Sequence, residues 1–380
     1  MTTGHLYVDV HILQSVPPSN LNRDDSGTPK QAVFGGAKRA RVSSQAWKRA
    51  TRVAYAESVP EADRATRTKR IAELLATRLR ETEDLDQGQA DRLAGALAGA
   101  LGVTKSTKKD DQSAYLLFFG KRQLDGIIAL IEGRARQLAG LDDAELKKEI
   151  GKLAVAEQLS TGHPAEVALF GRMVADVPSL NVDASVQVAH ALSTHAVQTE
   201  FDYYTAVDDE NVQDSGAGMI GTVEFNSATF YRYATLGVHQ LHHNLSDVDA
   251  TAETAARFLD AFARSIPKGH QNSFAHRTLP HLVLVTLRTD QPVNLVSAYE
   301  RPVQSRAGIA EESIERLAEE LTVTTETWGS APALTLATYA PAGAVQDKAE
   351  AAFGPSMPFP QLTARLHSAV ATWLASGEVR

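Results

Sequence analysis

The sequence predicts an α+β protein in which a helical block interrupts a sheet domain. Three features carry that expectation. His5 to Leu13 and Thr222 to Tyr233 alternate with the period of a half-buried strand. His281 to Leu287, HLVLVTL, is apolar on both faces, as a central strand is. Residues 61–160 are dominated by helix formers, and the strand material before them needs partners that return only after them.

At 380 residues, two or three domains are expected. The 43% apolar and 22% charged content is that of an ordinary soluble globular protein. Cysteine is absent, which excludes disulfides, thiolate nucleophiles and cysteine-ligated zinc and fits a reducing, cytoplasmic setting. MTTGHLYVDV has no basic region followed by an apolar core, so no signal peptide is expected. No apolar run approaches the roughly 20 residues of a membrane span. A formal charge of -8 argues against coating nucleic acid over the whole surface. A basic groove stays compatible with it, because screening limits each charge to about 10 Å.

Along the first strand, Leu6, Val8, Val10 and Ile12 face one way, and Tyr7, Asp9, His11 and Leu13 the other. His5 and His11 are surface residues or nucleic-acid contacts. Ser15 to Gln31 reads as a polar loop, broken by Pro17, Pro18, Gly27 and Pro29. It carries Asn20, Asn22, Arg23 and Lys30, and the acidic pair Asp24 and Asp25.

The most informative stretch is Phe34 to Arg52, FGGAKRARVSSQAWKRATR. It holds six basic residues, Lys38, Arg39, Arg41, Lys48, Arg49 and Arg52, and no acidic one. Gly35 and Gly36 permit a tight turn and close backbone approach to a ligand. Ser43 or Ser44 caps a helix running from Gln45 to about Glu57. On its wheel, Lys48, Arg49 and Arg52 share an arc of roughly 100°. Trp47, Ala50, Val53 and Ala54 fall opposite. The free N–H groups at its start attract phosphate oxygens. A solvated basic helix is the plainer alternative.

Residues 61–160 read as four helices with short joints. Lys105, Lys108 and Lys109 in a loop, and Lys147, Lys148 and Lys152 on a helix, either solubilise or touch DNA weakly. Val167 to Met173 is an apolar run able to re-enter the sheet, and Ser185 to Ala196 reads as helix or strand. Glu200 to Gly221 is too acidic and glycine-rich for a core. It reads as a projecting hairpin or loop, with Tyr203 and Tyr204 either packed or ligand-stacking. Ala255, Phe258, Leu259 and Phe262 mark an amphipathic helix ending at Pro267, and Glu311 to Glu320 and Gln361 to Ser376 look helical.

Enzyme signatures are weak. His239, His242 and His243 cluster, but no glutamate stands between them as in HExxH. There is no GxxxxGK[ST] loop, no GxSxG elbow and no RNP1 pattern. No catalytic residue, metal or cofactor is expected. A phosphate-binding profile remains: basic helix, glycine turn, polar loop and projecting aromatics. Such a chain would hold a single strand by its backbone and leave the bases free, as a guide-RNA carrier must.

The runs LNRDD (21–25), FGGAKRARVSSQAWKRATR (34–52), DYYTAVDD (202–209) and EFNSATFYRYA (224–234) resemble the CasC-type backbone subunit of the type I-E CRISPR Cascade surveillance complex. The similarity spans residues 5–290. The helical region is alike only in length and composition, and the tail beyond about 300 matches poorly. Ala37 stands where relatives often have a basic residue. The resemblance implies a modified ferredoxin-like, RRM-type palm sheet (1–58 and 166–380), a helical fingers insertion (59–165) and a thumb hairpin (about 198–222). It implies a non-catalytic subunit stacking head to tail in multiple copies on crRNA. Each thumb would displace one nucleotide per six, and the guide would be presented to target DNA beside other Cascade subunits. Carried over by motif, Arg23 and Lys30 lie in the loop near the guide, and Ser43, Gln45, Lys48, Arg49 and Arg52 contact its backbone; Asn22, Lys38, Arg39, Arg41 and Ser44 complete the expected RNA-binding set. Met173, Tyr203 and Tyr204 resemble the residues at the displaced nucleotide. The rival reading is a type III-like subunit that cuts target RNA with a metal through Asp24 and Asp25.

Overall fold

A computed structural model describes residues 4–102, 113–114, 116–207, 217–305, 308–340 and 343–379. In chain order, β1 (Tyr7–Ser19), β2 (Gln31–Phe34) and β3 (Ala37–Val42) lead into α1 (Ser44–Glu57). Next come β4 (Ala65–Thr68), α2 (Ile71–Glu83), α3 (Gln87–Ala100) and β5 (Leu117–Gly120). Helices α4 (Lys121–Ala129), α5 (Ala135–Ala139), α6 (Asp143–Ile150), α7 (Glu157–Ser160) and α8 (Ala165–Phe170) follow. The strands β6 (Val186–Val188), β7 (Ala191–Ser193), β8 (Glu200–Val207) and β9 (Ala217–Gly237) return, then α9 (Val238–Leu245), α10 (Val248–Arg264) and α11 (Gln271–Phe274). The chain closes with β10 (Leu282–Arg288), α12 (Ile309–Trp328), β11 (Leu334–Tyr339), α13 (Ala344–Phe353) and α14 (Phe359–Ser376).

The fold is α+β with antiparallel pairing, and it forms two compact units. The first comprises Met1–Tyr55, Val186–His239 and Thr251–Arg380. Its sheet runs β11-β10-β1-β9-β7-β3-β2, with β6 and β8 also paired to β9. The 21-residue β9 is the spine: one end pairs β1 and the other forms a hairpin with β8. β1 differs from expectation in two ways. It runs on to Ser19, because the Pro17–Pro18 step falls at a bulge where a proline costs no ladder bond, and Ser19 resumes pairing with Asn226. It is also buried on both faces. Its polar face enters the core because each group finds a partner there. The Asp9 carboxylate accepts from the Tyr233 hydroxyl (2.9 Å) and the Val293 N–H (2.8 Å), and Arg288 stands 3.5 Å away. His11 Nδ1 lies 2.8 Å from the Tyr231 hydroxyl, and burial lowers its pKa to about 3, so the ring is neutral.

Helix α1 packs through Trp47, Thr51 and Tyr55, one stripe at i, i+4, i+8. Ala50, Val53 and Ala54 are only half-buried. The Arg232 guanidinium lies 3.8 Å from the Trp47 ring centroid and 4.6 Å from that of Phe262, and donates to Gln14 Oε1 at 2.7 Å. A desolvated cation–π contact is worth about 2 kcal/mol. This clamp fixes α1 against the β1–β9 centre and α10, which turns its remaining face outward.

The second unit comprises Ala56–Ser185 and Gln240–Ala250. The described residues of 61–160 include six α-helices rather than four, because Gly133 (φ +71°) separates α4 from α5 and Gly151 caps α6. Ala65–Thr68, with β-branched Thr66 and Thr68, pairs as β4 with β5 instead of opening a helix. Val167 to Phe170 lies in α8, not in the sheet, and Ser185 to Ala196 resolves into the short strands β6 and β7. The unit's core is formed by Leu75, Leu79, Leu93, Leu97, Phe119 and Ile127, among others.

Candidate nucleic-acid interface

Several elements converge on the start of α1. Ser43 is the cap: its Oγ accepts from the Ala46 N–H (3.3 Å), and its carbonyl accepts from Trp47 (3.2 Å). The Ser43 N–H donates to Asn22 Oδ1 (2.9 Å), so the 20–30 loop is tied to the cap. Lys30 donates its N–H to the Asn22 carbonyl, and its own carbonyl accepts from Arg41. Asn22, Lys30, Arg41, Ser43, Ser44 and Gln45 thus belong to one locus. Lys48 and Arg52 are half-buried and Arg49 is exposed along the same helix.

The electrostatics of this locus differ from those of the second unit. There, several arginines and lysines sit beside acids, among them Arg78 with Asp125 (2.8 Å), Lys121 with Glu61 (2.5 Å) and Arg122 with Asp63 (2.6 Å). Among the described residues, no carboxylate lies within ion-pair distance of Arg23, Lys30, Lys38, Arg41, Lys48 or Arg49. Such a cluster of uncompensated cations beside a helix N-terminus is suited to anions.

Arg39 leaves the set. It is fully buried, and donates to the carbonyls of Phe34 (3.2 Å), Ser193 (2.9 Å), Tyr299 (2.7 Å) and Glu300 (3.1 Å). Its neighbour Lys38 in β3 is exposed. The close backbone approach at Gly35 (φ +59°) is likewise to the chain itself, since a Cβ there would strike the Glu300 carbonyl.

Three groups join the locus that sequence reasoning missed. His190 Nδ1 lies 3.3 Å from the Ser44 nitrogen and 3.3 Å from Arg41 Nη1. Lys268 and His270 flank Gly269, whose backbone abuts Asn20 and Leu21 so closely that no side chain would fit. Burial, then the charge of Arg23, lowers the His270 pKa. Only the register and the fold bring these residues in; no local pattern marks them.

The aromatic candidates lie on the β8–β9 hairpin. Phe201 and Tyr203 share one face and are largely exposed. Tyr204 points to the other face and its ring lies across Gly221, its cross-strand partner. Asp208, Asp209, Glu210 and Asp214 fall outside the described residues, as do Lys105, Lys108 and Lys109. Met173 belongs to the second unit and is 82% exposed between buried Arg172 and Val174. In the 20–30 loop, Asp24 Oδ1 accepts from the N–H groups of Ser26 (2.9 Å) and Thr28 (3.1 Å). Among the described residues, no group of three His, Asp or Glu is arranged to hold a metal, and no helix is long and apolar enough to cross a membrane.

Chains of similar fold occur in solved CRISPR RNA-guided complexes. One is a chain of a "CRISPR RNA-guided surveillance complex, pre-nicking", 31% identical, with a TM-score of 0.80, covering 96% of this chain and 100% of that one. Another, from a "CRISPR RNA-guided surveillance complex", is 29% identical with a TM-score of 0.72, covering 96% and 99%. No curated protein matches. The sequence profile of the CT1975-like protein family matches residues 8–364, and the chain belongs to that family. The match includes most of the region after residue 300, which the motif resemblance left out.

Proposed function

We propose that this chain is a non-catalytic backbone subunit of a type I-E Cascade complex, and that it holds crRNA by its phosphates. The observation that carries the reading is the cation cluster at the start of α1, on a chain similar over 96% of its length to one in a CRISPR RNA-guided surveillance complex. Lys30, Lys38, Arg41, Lys48 and Arg49, with Arg23 on the adjoining loop, neutralise phosphates. Ser44 and Gln45 at the first turn of α1 offer backbone and side-chain donors. The sheet unit acts as a ferredoxin-like palm, the helical unit as fingers and the β8–β9 hairpin as a thumb. Copies stack head to tail along the guide, which is presented to target DNA beside other subunits.

The test is salt dependence. Log K for a single strand falls with log salt by roughly 0.7 per phosphate contact. Lys48→Ala with Arg49→Ala should lower that slope by about 1 to 1.5. The loss should be equal for unrelated RNA sequences, because no base edge is read. An unchanged slope, or a loss confined to one sequence, refutes the assignment.

A further inference from the structure

β3 and β7 pair with Arg41 opposite Leu192 and Val42 opposite Ala191. That register sets His190 opposite Ser43, the cap of α1. The ring Nδ1 faces two donors, the Ser44 N–H and the Arg41 guanidinium, each at 3.3 Å. Neither can accept, so Nδ1 is the acceptor and the neutral ring carries its hydrogen on Nε2. The charged groups acting on the ring are Arg41 and Lys30, and with burial as the largest cause they lower its pKa. No carboxylate is among them.

A phosphate oxygen is an acceptor too. At the first turn of α1 it meets the same two donors that Nδ1 occupies, and two acceptors facing one donor repel. Its negative charge also offsets the field of Arg41 and Lys30 that disfavours the imidazolium. Both effects point to the same event. We propose that His190 is a phosphate-contacting residue that takes up one proton from solvent when a guide phosphate docks at the start of α1. The ring turns from acceptor to donor, and the phosphate replaces it as partner of the Ser44 N–H. This rests on the guide-RNA reading above and adds a proton to it.

The sign follows from linkage. Binding raises the ring's proton affinity from a depressed value, so affinity for RNA increases as pH falls through the window between the free and bound values. The full-length protein is titrated with an oligouridylate at fixed salt from about pH 8 to about pH 6. One proton per site gives a change approaching tenfold per pH unit, about 1.4 kcal/mol. His190→Asn keeps an acceptor for Ser44 but does not titrate. Its affinity should therefore show a flat pH profile. The NMR titration midpoint of His190 should rise when the oligonucleotide is added. A flat wild-type profile, a slope retained in His190→Asn, or an unmoved midpoint overturns the proposal. Failure of the guide-RNA reading looks different: no salt-dependent affinity at any pH, which overturns both.

Discussion

Arg39 engages four of its five N–H groups with backbone carbonyls from three separate segments, so it fastens the FGG turn, β7 and the 299–300 segment together. Removing it strands those carbonyls in the interior. Hydrogen bonds to a charged donor are worth about 1.5–3 kcal/mol each, and stranded acceptors add their own cost. Arg39→Ala should therefore lose about 3 kcal/mol or more of folding stability. Arg39→Lys should not rescue it, since one ammonium cannot span the four acceptors. Denaturant unfolding reads the first effect. The second reading is RNA affinity of the remaining folded protein, whose salt slope should be that of wild type. A variant of normal stability with a reduced slope would put the guanidinium back on the ligand. Lys38, one residue earlier, carries the opposite expectation, because its side chain is exposed.

At the scale of the element, the β8–β9 hairpin explains why two adjacent tyrosines cannot share one task. Phe201 and Tyr203 occupy one face of the ribbon, and Tyr204 the other. Tyr204 covers the backbone of Gly221, an aromatic–glycine pair that stiffens a two-stranded ribbon with little core of its own. Gly221→Val should lift that ring and loosen the hairpin, while Tyr203→Ala should leave the hairpin intact. A base stacked on an aromatic ring is worth about 1–3 kcal/mol. If the exposed face presents the stacking ring, chemical probing of bound guide should show the regular pattern of reactive nucleotides blurred by Tyr203→Ala. Assembly on the guide should persist. A pattern left sharp by Tyr203→Ala and lost with Tyr204→Ala would assign the displaced nucleotide to the covered face instead.

For the whole molecule, the α+β class was legible because periodicity reports burial in the 21-residue β9, and β10 is a continuous apolar run. The start of α1 was legible too, since capping is local: Ser43, Trp47 and the cations all lie within one stretch. What the sequence hid was set by tertiary pairing. Asp9 and His11 read as a solvated face, yet their partners Tyr231, Tyr233 and Arg288 arrive from more than 200 residues away. His190 entered the site only through register, and Arg39 left it for the same reason. The largest claim concerns assembly. The proposed head-to-tail stacking would use two different patches per copy, and such an interface gives an open array unless its rotation closes a ring. An open array needs something to end it, and a guide strand of finite length does so. Native mass measurement with RNAs of increasing length should therefore show the number of protein copies rising in proportion to length, with one constant footprint per copy. Without RNA, the chain should not form long arrays, because the net charge of -8 makes copies repel and no shared strand holds them together. A fixed copy number on every RNA length would mean a closed oligomer that binds RNA secondarily, and the backbone role would fall with it.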